Sequence, residues 1–214
     1  MLCTVAIRPP PWVAWMSADA RPQPTPHVPD GFVERLAQGD EAALRELFDH
    51  HSRRLERVLL RVMGPDPELS DVVQDSFEQA LRSLHRFEGD RSDLAAWLNR
   101  IAINVAKNRL RYRRVRRWLG SAVHYETSEV ASRVATPEVL LAMQRTYEVL
   151  ERLPAEERIA FALRFIDGMQ LTEIADSTGL SLATVKRRIR KAREHFTRHA
   201  HKDPLLVGWL GGDA

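Results

Sequence analysis

Apolar side chains recur at intervals of three and four residues from Asp30 almost to the end of the chain, the period of helices with one buried face. Ala43, Leu44, Leu47, Leu55, Val58 and Leu59 mark a first long helix that Asp40 can cap, and Gly64-Pro65-Asp66-Pro67 stops it. A second helix is expected from about Glu68 to His85, with Leu69, Val72, Val73, Ala80 and Leu84 turned inward. Gly89-Asp90 then breaks the chain. A third helix starts near Ser92 on the stripe Leu94, Trp97, Leu98, Ile101, Val105 and Tyr112. Thr136-Pro137-Glu138 is a cap followed by proline at the first helical position, and helices are expected at 137–152, 155–166, 171–177 and 181–199. No stretch alternates with strand period for long enough to propose a sheet. The expected fold class is all-α: two small helical bundles joined by a flexible linker.

Proline and serine set the edges of this division. Residues 1–29 hold Pro9, Pro10, Pro11, Pro22, Pro24, Pro26 and Pro29 with almost no periodicity, the composition of a disordered tail. Trp12 and Trp15 there read either as a small docking motif or as aromatics the tail happens to carry, and Met16 is an alternative start. Periodicity also lapses over 118–136, with Gly120, Ser121, Ser128 and Ser132, the expected linker. The chain therefore divides into 1–29 (tail), 30–117 (first bundle), 118–136 (linker), 137–200 (second bundle) and 201–214 (C-terminal tail). The last segment, Asp203-Pro-Leu-Leu-Val-Gly-Trp-Leu-Gly-Gly, reads as a frayed end or a short apolar docking segment.

Composition narrows the class. A hydrophobic content of 44% supports a real core, while 29% charged residues and the lack of a long apolar run argue against membrane insertion. Pro9–Pro11 interrupt any apolar signal region, and the lone Cys3 allows neither an internal disulfide nor a cysteine-based zinc site. A cytoplasmic protein is expected. The formal net charge of +3 conceals two concentrated basic runs, 107–117 and 186–193, with acidic residues elsewhere nearly balancing them. Such a charge dipole suggests a grip on a polyanion at two places and another use for the acidic face.

The second basic run belongs to a helix-turn-helix. Ala175, Gly179 and Val185 have its spacing: a small residue where helices cross, a glycine for the positive φ of the turn, an apolar residue locking the second helix. Val185, Ile189, Ala192 and Phe196 then form one buried stripe. The opposite arc carries Ala183, Thr184, Lys186, Arg187, Arg190 and Lys191, with Arg193 flanking. Such a helix can lay its first turns in a major groove while later arginines meet phosphates.

The first bundle has two candidate faces. On the third helix Arg100, Asn104, Lys107, Arg111 and Arg114 form a basic ridge with one amide able to hydrogen-bond a base edge. Phe87 and the Gly89-Asp90 loop lie beside it, where an extruded base could stack, though Phe87 can equally be core. On the second helix Asp71, Gln74, Asp75, Glu78 and Arg82 share the outward arc. That arc faces either water or a basic protein partner.

Together these segments resemble the extracytoplasmic-function sigma factors of bacterial RNA polymerase, over about residues 31 to 200. The motifs are Leu69-Ser-Asp-Val-Val-Gln-Asp-Ser-Phe77, Arg86-Phe-Glu-Gly-Asp90, Trp97-Leu-Asn-Arg-Ile-Ala-Ile-Asn-Val-Ala106, and Leu153-Pro through Arg193. The resemblance implies that the first bundle is region 2, with Asp71, Gln74, Asp75 and Glu78 docking on the clamp coiled coil of the polymerase's largest subunit. It implies that the Phe87–Arg91 loop and Asn104 capture a flipped base of the −10 element, with Lys107, Arg111 and Arg114 tracking the non-template strand. It makes the second bundle region 4, reading the −35 element with Thr184, Lys186, Arg187 and Arg188, and with Arg190 and Lys191 on the same arc. Core RNA polymerase, promoter DNA and an anti-sigma factor are the implied partners, and no catalytic residue, cofactor or metal is expected. Four departures from the family pattern stand out. The loop before Trp97 is one residue longer, Leu94 replaces a common Phe, Gln170 replaces a capping Ser, and Arg187 and Arg190 occupy positions where smaller or apolar residues are usual.

Two other readings compete. A free-standing helix-turn-helix regulator explains the second bundle but leaves the acidic arc and the Asn104 ridge idle. A metal-dependent nuclease or hydrolase would use Asp71, Asp75, Glu78 and His85, yet Arg82 sits among them. His195, His199 and His201 could hold a metal or simply be solvated on a terminal helix.

Overall fold

Asp40 starts the first long helix as the sequence predicts. Its carboxylate accepts hydrogen bonds from the backbone N–H groups of Ala42 (2.8 Å) and Ala43 (3.3 Å), two of the donors a helix N-terminus leaves open. Arg35, near the end of a short helix α1 (Phe32–Ala37), donates to the same carboxylate at 2.7 Å. A computed structural model describes residues 31–87, 93–118 and 137–210. The tail over 1–29, the Gly89-Asp90 loop and all but the first residue of the 118–136 linker lie outside the described residues.

Helix α2 (Glu41–Met63) runs 23 residues, about 35 Å at about 1.5 Å per residue. It ends at Gly64, whose φ of 80° suits glycine. A second constraint acts there, because a Cβ on Gly64 would stand 2.7 Å from the ring of Tyr147. Helix α3 (Leu69–Ser83) buries Val72, Val73, Ser76, Phe77 and Ala80, and a single 3₁₀ turn over Leu84–Arg86 closes it. Asp66 prepares its start by accepting the Glu68 N–H at 2.8 Å. The same carboxylate is buried in an ion pair with Arg113, whose guanidinium also donates to Glu68 at 2.8 Å.

Helix α4 (Leu94–Trp118) is the central element, packed against α2 and α3 on one side. On its other side lie the helices of the second bundle: α5 (Pro137–Leu150), α6 (Ala155–Phe161), α7 (Leu171–Thr178), α8 (Leu182–Ala200) and α9 (Pro204–Leu210). Helix α4 meets α6 and α7 directly. After Phe161 helix α6 widens into a π turn, with the Asp167 N–H donating to the Ala162 carbonyl at 2.8 Å. The structure is all-α, and no strand occurs among the described residues. Buried apolar residues of both bundles form one continuous core.

Two expectations shift. Tyr112 was placed on the buried stripe of α4 but is 59% exposed, with Arg116 over its ring at 6.0 Å. The buried side at this end is instead Ile103, Ala106, Leu110 and Arg113, because α4 is covered from two directions rather than one. The 203–210 segment is not frayed: Asp203 caps α9 by accepting the Leu205 N–H at 3.0 Å, and Leu206 is buried.

His51 on α2 is buried, and its Nε2 has no hydrogen-bond partner. Burial, with lesser repulsion from Arg54 and His50, lowers its pKa from 6.5 to about 4. The unfolded chain therefore takes up this proton first as pH falls. The associated stability is fully present above 6.5 and is lost toward about 4. Thermal unfolding of the wild type is expected to show a midpoint that drops across this window, and His51→Leu should flatten the drop. Equal drops in both proteins would show that His51 stays solvated.

Candidate nucleic-acid and protein interfaces

Helix α8 is positioned from its first residue. Ser181 caps it by accepting the Thr184 N–H at 3.3 Å, and the two hydroxyls share a hydrogen bond at 2.9 Å. Val185, Ala192 and Phe196 are buried, Ile189 is half-buried, and Phe196 stacks on Phe161 at 4.4 Å. The opposite face therefore turns outward, and Lys186, Arg187, Arg190 and Lys191 are all exposed. Thr184 is half-buried, and Arg190 lies 3.9 Å from Glu194. Gly179 takes the positive φ of 67° that the turn requires. Gln170 does not leave α7 unanchored, since its own N–H donates to the Glu173 carboxylate at 2.6 Å. Arg188 points elsewhere, into a cleft shared with α4.

The ridge on α4 meets that cleft. Lys107 donates to Oδ1 of Asn104 at 2.8 Å, and both residues are half-buried. Arg111 is ion-paired with Glu156 at the start of α6. Arg100 donates to the Asp176 carbonyl on α7 at 3.2 Å. Burial opposes ionisation of Glu156, but hydrogen bonds from its own backbone and from Arg111 outweigh it, so the carboxyl titrates below its ordinary value. Arg114 is exposed, and half-buried Phe87 tilts against Trp97 at 5.1 Å between ring centres. All five ridge residues lie together on α4; Asn104 and Lys107 are half-buried beside the second bundle, while Arg100, Arg111 and Arg114 are exposed. Phe87 stands apart, and the loop following it is outside the described residues.

The acidic arc behaves differently. Asp71, Gln74, Asp75 and Glu78 are all exposed on α3 and touch nothing in the second bundle through a hydrogen bond or ion pair of theirs. Gln74 donates to Glu78 at 3.2 Å, Arg82 donates to Glu78 at 2.9 Å, and Arg109 lies 3.6 Å from Asp75. Exposed pairs of this kind contribute about 0–1 kcal/mol each, so the arc is not there to hold the fold. Among the described residues no three of His, Cys, Asp and Glu converge to hold a metal ion. His195 instead shares a 2.6 Å hydrogen bond with Glu157. No helix among the described residues is long and apolar enough to cross a membrane.

Comparison with known proteins bears directly on these surfaces. Residues 47–117 match the family pattern of sigma-70 region 2, and residues 143–196 match that of sigma-70 region 4. The RNA polymerase sigma factor NccH of Alcaligenes xylosoxydans xylosoxydans is 32% identical over 176 residues, which span 80% of this chain and 94% of that protein. The ECF RNA polymerase sigma-E factor of Escherichia coli K12 is 34% identical over 172 residues, spanning 76% of this chain and 88% of that one. The chain belongs to the ECF RNA polymerase sigma factors. Among solved structures, CnrH bound to the cytosolic domain of CnrY aligns over 80% of this chain and 96% of that one, with a TM-score of 0.53 and 27% identity. RpoE of Bartonella quintana, in complex with the anti-sigma factor NepR, shares the fold at a TM-score of 0.52 and 23% identity.

In this sigma factor the region 2 match contains both the acidic arc and the α4 ridge, and the region 4 match contains every predicted residue of α8. A further set escaped the sequence reading. Arg158 donates to the carbonyls of Val62 (3.0 Å) and Met63 (2.6 Å), and Tyr147 donates to those of Arg61 (2.9 Å) and Leu60 (3.3 Å). Arg61 is itself ion-paired with Asp167, and both side chains are buried. The available signal was a charged residue inside the apolar run Val58-Leu-Leu-Arg-Val-Met63. The α8 cap offers a simple check: Ser181→Ala should destabilise region 4 by about 1 kcal/mol in denaturant unfolding. A change near zero would mean that Ser181 does not hold the first turn.

Proposed function

We propose that this sigma factor seats on core RNA polymerase through Asp71, Gln74, Asp75 and Glu78, and reads promoter DNA with two separate surfaces. The observation that carries the reading is the acidic arc itself, four exposed polar residues that the fold does not need. Thr184, Lys186, Arg187, Arg190 and Lys191 would contact the −35 duplex, with the arginines and lysines supplying phosphate contacts and a steep salt dependence; Arg188, expected with them, lines the cleft against α4 instead. Phe87 and Asn104 would hold a flipped base of the −10 element, and Lys107, Arg111 and Arg114 would follow the single strand. The chain performs no catalytic step. Binding the opened strand better than the duplex shifts the melting equilibrium by that difference in affinity. The site of action is the cytoplasm, and an anti-sigma protein is a fitting regulator, since CnrH and Bartonella RpoE are each bound to another protein in their structures.

Asp75→Arg reverses one charge at an exposed position and should weaken co-purification with core polymerase at least about tenfold, the range of a lost interfacial charge pair, with thermal stability unchanged. Association equal to wild type would remove Asp75 from the interface. Arg187→Ala should depress run-off transcription from promoters with a −35 match and spare those without one. Equal loss on both would place Arg187 outside −35 reading.

A further inference from the structure

The basic run over 107–117 does not face one way. At about 100° per residue Arg109 lies about 160° around α4 from both Lys107 and Arg111, on the side that packs against α3. Its guanidinium stands 3.6 Å from Asp75, a member of the acidic arc, and 3.5 Å from Glu68 just before α3. Glu68 is also met by Arg113 at 2.8 Å, and Arg113 is paired with buried Asp66. Among the described residues these contacts join three carboxylates to two guanidiniums. Asp66 and Glu68 match Arg113 and Arg109, so the negative charge in excess is that of Asp75. A partner can therefore take Asp75 out of this network without stranding a charge behind it. The other ion pair on the arc is of a different kind. Arg82 sits on α3 beside Glu78 and is 79% exposed, able to swing into solvent, whereas Arg109 is 30% exposed and reaches across from a second helix.

We infer that Arg109 is an internal counter-ion of the docking arc: it holds Asp75 in the free chain and yields that carboxylate to a cation of core polymerase, keeping Glu68 as its own partner. The inference rests on the docking role of Asp75 proposed above. Two effects of Arg109 oppose each other there. By tethering Asp75 it spares the partner the ordering of that side chain, a small gain because aspartate is short and has few rotamers to lose. Against this, a guanidinium 3.6 Å from the carboxylate repels an arriving cation over nearly the same distance at which the carboxylate attracts it. Repulsion is the larger effect, so Arg109 weakens docking. What it adds is selectivity. A polycation that merely falls on the arc meets an aspartate already neutralised, and only a partner that sets a cation directly against Asp75 displaces the arginine. Arg109 thus determines specificity by acting through Asp75, with no contact of its own to polymerase.

The test is a double-mutant cycle on the affinity of the full chain for core polymerase, made with Arg109→Gln, Asp75→Asn and both changes together. Arg109→Gln should bind core about two- to fivefold tighter than wild type at low salt, the range of an exposed ion pair, and the gain should shrink as salt screens it. Asp75→Asn alone should weaken binding, and in that background Arg109→Gln should gain little or nothing. A residue that only held α3 to α4 would not tighten binding when removed. Arg198→Gln deletes a distant exposed cation and should leave the affinity as it is, which separates a local exchange from a general effect of net charge. Melting curves show that each variant is folded; if Arg109→Gln is not, Arg109→Met, which keeps an unbranched apolar stem, is read in its place. A folded variant that binds core no tighter than wild type overturns the inference. So does a gain of equal size with and without Asp75, or an equal gain from Arg198→Gln. In each of these cases the docking role of Asp75 still stands as long as Asp75→Asn alone weakens binding. If Asp75→Asn leaves the affinity unchanged, the docking reading itself fails and the counter-ion role falls with it.

Discussion

The unfinished end of helix α2 is the constraint on which the arrangement of this protein turns. A buried helix terminus with unpaired carbonyls loses on the order of 1–3 kcal/mol per group. Among the described residues the side chains that meet three of them come from region 4, Arg158 and Tyr147. Gly64 is needed at that point twice over, for the turn out of α2 and for room beside the Tyr147 ring. One local requirement of hydrogen bonding thus dictates which face of region 4 meets region 2, and so which residues of α4 are covered.

From that contact follows the division of the surface. Helix α4 is flanked on both sides, so part of its polar ridge borders the second bundle, where half-buried Lys107 bonds Asn104 and Arg111 meets Glu156. Helix α3 lies on the opposite flank of α4, and its acidic arc stays in solvent. Helix α8 spends one face on Phe161 and the core and leaves four cations outward. The acidic arc of α3 and the cationic face of α8 are thus open to solvent at once, while Asn104 and Lys107 on α4 are half-buried between the bundles.

Much of this was legible in the residues. Asp40, Ser181 and Gly179 act at the helix ends where their chemistry predicts, and the stripe on α8 faces inward as its spacing requires. The acidic arc on α3 is outward, also as expected. What could not be read was partnership between segments far apart in sequence. Arg61, Arg113 and Arg158 are charged, and charge ordinarily signals solvent, yet each is buried against a carboxylate or carbonyl far away in sequence: Arg113 against Asp66, 47 positions off, Arg158 against Val62, 96 off, and Arg61 against Asp167. Tyr112 was misplaced for the complementary reason: a stripe drawn for one buried face fails on a helix covered from two sides. Leu206 belongs to a helix too short to announce itself, and the Asp203 cap is its clearest mark.

Paired spin labels give the most direct view of closure. With Cys3 replaced by serine and labels at Gln79 on α3 and Arg198 on α8, both exposed and outside every surface assigned above, the distance between the bundles can be measured with and without core polymerase. The free chain should give one narrow, short distribution, and the holoenzyme should shift it outward by tens of ångströms. A broad, long distribution in the free chain, unchanged on assembly, would contradict a molecule held shut at the end of α2.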